Sequence, residues 1–159
     1  MSAVDLSDRF AAHVGVQVTP GDGAPCGCGA TATLEPTPAW DDQVGAPAPS
    51  AAVLALVDAT ARHAAEAAVA EPGLRATLVA TATTVRFRAS IPCPVTASAS
   101  VPCEGLIVDR ADENGDFRFS VAVEVVGPTG TRVATGTVQW LAHIEAEAAA
   151  GPPTGAEDH

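Results

Sequence analysis

Few side chains in this sequence are able to do chemistry, and most of them stand alone. Asp58 is the only acid between Ser50 and Ala65, a stretch dominated by Ala, Val and Leu. Taking a carboxylate out of water costs several kcal/mol unless it is paired. A lone acid on an apolar segment is therefore a candidate acid–base group or nucleophile. A second reading is structural: Asp58, Arg62 and Glu66 recur at i, i+4 and i+8, the spacing of a salt-bridged helical ridge. Arg86 and Arg88 alternate with Val85 and Phe87. They share one strand face, either as forked phosphate donors or as a solvated surface. Thr81 and Thr83 offer hydroxyls on the same strand, where threonine is also common for its β-propensity.

Other constellations are weaker. Cys26, Cys28, Cys93 and Cys103 lack paired Cys-x-x-Cys spacing and nearby histidines, so no metal site is expected. They read as small loop or buried thiols, reduced in a cytosolic setting. His13, His63 and His143 are isolated, and no Ser-His-Asp order stands out, so a hydrolase triad is not expected.

The elements that must position these groups follow from periodicity and punctuation. Asp58 falls within Ser50 to Ala70, an Ala-rich run with strong helix propensity. Ser50 is the expected N-cap after Pro49, and Glu71-Pro72-Gly73 ends the helix. Its first turns are apolar all round, so it must be enclosed on most sides. Asp5 to His13 predicts a short amphipathic helix, stopped by Gly15. Thr19 to Gly29 reads as loop, and Gly29 to Pro36 as a first strand. An irregular proline-bracketed stretch follows, with Trp40, Asp41, Asp42 and Gln43.

Four β segments come after the long helix: Ala76 to Ala89, Pro94 to Asp109 with a break at Pro102 to Gly105, Phe117 to Val126, and Thr131 to Ile144. Asn114-Gly115 and Gly127 to Gly130 are the expected turns. Phe117, Phe119, Val121, Val123 and Val125 share one face by period two. Short turns force antiparallel neighbours. One enclosed helix against one antiparallel sheet is an α+β architecture. Strands this long allow the sheet to curl round the helix. Residues 1–144 are read as the domain and 145–159 as a flexible tail of Ala, Gly, Pro and acid.

The 159 residues suit a single domain with a sizeable core, and the 47% hydrophobic content excludes a disordered chain. Aromatics are only 4%, so the core is expected to be built from small side chains. A net charge of −11 disfavours nucleic acid as a partner. No membrane span and no signal peptide are read from the sequence, so a cytoplasmic location is expected. The Ala/Val/Gly/Pro-rich, lysine-free composition resembles that of GC-rich bacteria.

Over residues 5–144 the chain resembles the hot-dog thioesterase superfamily, nearest the phenylacetate-degradation type of acyl-CoA thioesterase. The residues that carry the likeness are Gly15-Val16, the loop through Gly45, Leu54-Ala55-Leu56-Val57-Asp58-Ala59, Val85-Arg86-Phe87-Arg88-Ala89 and Gly136-Thr137-Val138. The resemblance implies a hot-dog fold, a long central helix wrapped by a curved antiparallel sheet. It implies that Asp58 acts on a thioester, as general base toward water or as nucleophile. Amides at the helix N-terminus, from Ser50, Ala51 and Ala52, would polarise the thioester carbonyl across a dimer interface.

Family members carry His-Gly-Gly at the helix start and an Asn a few residues earlier. This chain has Ala48-Pro49-Ser50-Ala51, and the Asn slot falls on Asp42 or Gln43. Gln43 could orient a water. Thr81 and Thr83 lie where some relatives place a hydroxyl near the acid, although the aligned slot holds Ala80. Arg86 and Arg88 could meet the phosphates of coenzyme A. The function implied is hydrolysis of an acyl-CoA or acyl-carrier thioester by a homodimer or dimer of dimers. Coenzyme A would enter only as part of the substrate, and no cofactor is expected. The alternative is a non-catalytic hot-dog domain that binds an acyl group or a partner. Dehydration of a hydroxyacyl thioester would want a histidine near the helix start, and His63 lies too far along.

Overall fold

A computed structural model of the protein describes residues 9, 11–20, 29–35, 48–70, 74–88, 91, 94–101 and 111–146. Its centre is helix α1 (Ser50–Val69). Six strands surround it: β1 (Val16–Pro20), β2 (Gly29–Leu34), β3 (Leu74–Phe87), β4 (Val95–Ser100), β5 (Asp116–Val126) and β6 (Arg132–Ala146). They form a single antiparallel sheet in the order β1-β2-β4-β5-β6-β3. The helix touches all six strands, so the sheet must curl around it. This is the α+β architecture expected of a helix with so few polar residues in its first turns.

The core is built from small residues, as the composition requires. Ala30, Ala32, Ala97, Ala99 and Ala134 are buried on the sheet and face buried Ala52, Val53, Leu56, Val57, Ala61, Ala64 and Ala65 of the helix. Gly136 marks a close approach of the sheet to the helix. A Cβ built there would lie 2.5 Å from Cγ1 and 3.3 Å from Cγ2 of Val57. Any larger residue at that point would force the Val57 side chain or the backbone around it to shift. On β5 the expected alternation holds, with Val121, Val123 and Val125 buried. Phe117 and Phe119 continue that face and stack with ring centroids 5.8 Å apart.

The expected loop from Thr19 does not begin there. Residues 16–20 are strand β1, paired with β2 from Val16↔Leu34 to Pro20↔Ala30. The run Val16-Gln17-Val18-Thr19 alternates correctly, but it is short and ends in Pro20 and Gly21. Its strand state comes from the partner it finds in β2, which local punctuation does not reveal. Before it, Arg9 and residues 11–13 are helical, and Gly15 has a φ of +94° as its stop role predicts.

The helix cap also differs. Pro49 is the N-cap and Ser50 the first helical residue, with no side-chain capping bond. Pro49 takes this role because its carbonyl accepts the amides of Ala52 at 3.0 Å and Val53 at 3.2 Å. The helix ends at Val69, with Ala70 extended. Strand β6 runs to Ala146, two residues into the segment read as tail. The Asn114-Gly115 turn is present. Asp112 Oδ1 accepts the amides of Asn114 at 2.8 Å and Asp116 at 2.9 Å. Gly115 has φ +83°, and a Cβ there would meet the Ile144 carbonyl, so only glycine fits.

Candidate active site

The Asp58 side chain is 29% exposed and opens into a cleft of about 350 Å³. The cleft floor is the helix itself. Ala51, Ala55 and Ala59 recur at i, i+4 and i+8, forming a methyl-lined track. Leu54 and Asp58 stand on the adjacent ridge. Ala11 closes one side, and Thr83 of β3 reaches in from the sheet. The lining is apolar apart from Asp58 and Thr83. This arrangement suits a hydrophobic group lying on the alanine track with a polar reacting centre beside the acid.

Asp58 is also ion-paired. Arg62 Nη2 donates to Asp58 Oδ2 at 2.7 Å, and the Arg62 side chain is only 14% exposed. The ridge reading and the site reading therefore describe the same carboxylate. Glu66 is exposed one turn further on.

A β-bulge separates the two threonines. The β3–β6 register shifts between Ala80 and Ala82. Before it, Ala76, Leu78 and Ala80 lie opposite Ile144, Ala142 and Trp140; after it, Thr83, Val85 and Phe87 lie opposite Val138, Gly136 and Ala134. One extra residue moves the helix-facing set from even to odd positions. Thr83 thereby lands in the cleft. Thr81 sits in the bulge, its hydroxyl donating to the Gln139 carbonyl at 3.2 Å. It lines a hollow with Arg118, Ser120 and Gln139 instead.

Arg86 is level with Thr135, one residue from the Gly136 position that faces the helix. It therefore lies on the outer face of the sheet, with Thr83 on the inner face. Arg88, just past β3, donates its backbone amide to Val133 at 3.0 Å, and its side chain is exposed. Within one chain these arginines do not join Asp58. Ser50 is exposed at the helix start, and Ala51 is part of the cleft wall. Among the described residues, no acceptor pairs with the Ser50 or Ala51 amide. Gln43, Gly45 and all four cysteines lie outside the described residues. The lining residues Ala11, Leu54, Ala55 and Ala59 were not anticipated as site residues. The signal for the helical ones was present in their spacing relative to Ala51 and Asp58.

The backbone of this chain matches solved structures over most of its length. A Pseudomonas aeruginosa protein named as a probable thioesterase superposes with a TM-score of 0.68 at 12% identity, covering 91% of this chain and 97% of its own. A thioesterase from Haemophilus influenzae gives 0.63 at 12% identity, with 96% of each chain covered. The PaaI protein from the phenylacetic acid degradation operon of E. coli gives 0.56 at 20% identity, covering 87% and 86%. The chain has the hot-dog fold. No family model matches it, and no curated protein matches it in sequence. The hot-dog likeness is thus one of backbone shape, at 12–20% sequence identity to these neighbours. In this hot-dog domain, no group of three or more His, Cys, Asp or Glu able to hold a metal occurs among the described residues. No helix among the described residues is long and apolar enough to cross a membrane.

Proposed function

We propose that this chain hydrolyses an acyl thioester, of coenzyme A or of an acyl carrier, with Asp58 as the reacting carboxylate. The observation that carries the reading is the half-buried Asp58 facing an otherwise apolar cleft near the helix N-terminus. The acyl group would lie on the track of Ala51, Ala55 and Ala59. Asp58 lies two turns, roughly 10 Å, from the amides of its own helix start, so the Ala51 and Ser50 amides at the positive end of a second copy's helix would polarise the carbonyl oxygen across a dimer interface. Asp58 would take a proton from a water that adds to the carbonyl carbon, or attack that carbon itself to give an anhydride that water then hydrolyses; on either route the C–S bond breaks and the sulfur leaves as the protonated thiol. Thr83 is a candidate to orient that water. Gln43 and Gly45 are assigned to the same site only through the family resemblance, and Arg86 and Arg88 would serve coenzyme A phosphates only from the outer face.

A second copy of the chain is part of this proposal. β3 spans 14 residues at the sheet edge, and Val79 and Phe87 on it are 53% and 45% exposed. An edge this long and apolar is a template for pairing. Strand pairing between two copies would extend the sheet and cover the cleft, which opens between α1 and β3. Covering it would exclude water from the acyl group.

The test is free-thiol release from a panel of acyl-CoAs by wild type and Asp58→Asn. A loss of roughly 100-fold or more in kcat is expected for the variant. Equal turnover by both sinks the mechanism. The non-catalytic reading is favoured by Pro49 at the N-cap, which has no amide to give. Acyl-CoA binding without turnover in wild type would select it.

A further inference from the structure

We infer that Arg62 is a positioning residue for Asp58, tying one carboxylate oxygen so that the other is presented to the cleft. This rests on the reading of Asp58 as the reacting acid. Arg62 Nη2 holds Oδ2 at 2.7 Å. Among the described residues Oδ1 has no hydrogen-bond partner. The two oxygens of one carboxylate are thus made inequivalent: one is anchored and one is left to react.

The burial pattern is the second observation. A pair that served only the surface would keep its long cation in water, where it contributes little. Here the order is reversed, with Arg62 at 14% exposure and Asp58 at 29%. Asp58 lines the cleft and Arg62 does not. The guanidinium therefore comes from the turn after Asp58. Ala51 and Ala55 of the alanine track lie on the turns before it. Asp58 is held between its anchor and the place where a substrate carbonyl would sit.

An unanchored aspartate turns freely about its last torsion. Such freedom matters where reacting atoms must sit within a few tenths of an ångström, since a misplacement of about 1 Å costs roughly 100-fold. A bond to Oδ2 removes that rotation before substrate arrives.

The experiment uses the full chain and an acyl-CoA that wild type hydrolyses, with Asp58→Asn, Arg62→Met, Arg62→Gln and Arg62→Lys. Methionine keeps a long buried arm without the charge, so it guards against a fold defect in the glutamine variant. The expected result is a fall in kcat of roughly 10- to 100-fold for Arg62→Met, with KM and melting temperature little changed. Arg62→Lys should recover part of kcat, because an ammonium still donates to Oδ2. A merely structural arginine would lower the melting temperature and leave the kcat of the folded fraction alone. Wild-type kcat in Arg62→Met, or no recovery in Arg62→Lys, overturns the positioning role while Asp58→Asn stays inactive. If Asp58→Asn turns over like wild type, the reading of Asp58 itself fails and this inference falls with it.

Discussion

Thr83 and Thr81 are two positions apart, and an unbroken strand would aim both hydroxyls the same way. The bulge makes them opposites, which gives a paired test. Thr83→Val keeps the branched shape and removes the hydroxyl from the cleft. It should lower kcat/KM by about tenfold if the hydroxyl orients the reacting water. Thr81→Val loses only its exposed bond to the Gln139 carbonyl and should leave kcat/KM unchanged. Equal effects from the two variants would show that the bulge does not sort them. His143 makes a separate prediction. Its Nδ1 lies 2.7 Å from Asp116 and its Nε2 3.2 Å from Glu145. The hydrogen bond to Asp116, then that to Glu145, raises its pKa above 6.5. The folded state therefore holds the proton more tightly than the unfolded one. The resulting stability is present in full below about pH 6.5 and is lost as pH rises through the folded value. The melting-temperature gap between wild type and His143→Gln should be wide near pH 6 and close by about pH 9; a gap independent of pH would remove the charge as its cause.

At the scale of the element, the helix and the sheet are fitted by a single missing side chain. Gly136→Ala puts a Cβ 2.5 Å from Val57 Cγ1. The cost expected from denaturant unfolding is about 1–3 kcal/mol. Val57→Ala alone leaves a void and destabilises, but in the Gly136→Ala background it makes room for the new methyl. The two changes should therefore couple, with the double variant more stable than the sum of the single effects predicts. The same helix carries the alanine track. Ala55→Leu projects three carbons into the cleft and should raise KM for bulky acyl-CoAs more than for short ones. Uniform loss across the panel would place the acyl group elsewhere. Much of this element was legible beforehand. Its limits, its apolar opening turns and its lone acid follow from local composition and Pro-Gly punctuation. The Pro49 cap was not legible, because Ser50 has the better intrinsic capping chemistry and the choice was made by where the backbone turns.

For the whole molecule, the sheet order decides what is left open. β3 follows α1 in sequence yet sits at the far edge, beside the last strand β6. That placement leaves Val79, on the outer face of β3, and Phe87, on its inner face, exposed along the sheet edge. Val79→Asp sets a like charge on each edge of a paired sheet and should shift the chain toward monomer in sedimentation equilibrium, with activity falling in parallel. Dimer at unchanged affinity would rule out this edge. With a net charge of −11 on each copy, association should also tighten as salt rises from about 0.05 to 0.5 M.

The sequence by itself determined the central helix, the acid it carries, the alternation of β5, the turn at Gly115 and the small-residue core. Each of these depends on neighbours within a few positions, where propensity and period act directly. The tertiary structure decided the rest: that residues 16–20 are a strand, that β3 ends at the edge, and that Thr83 rather than Thr81 shares the cleft with Asp58. Those outcomes depend on which distant backbone a strand pairs with and on one extra residue in the ladder. Period-two alternation carries no record of a bulge until the partner strand fixes the register.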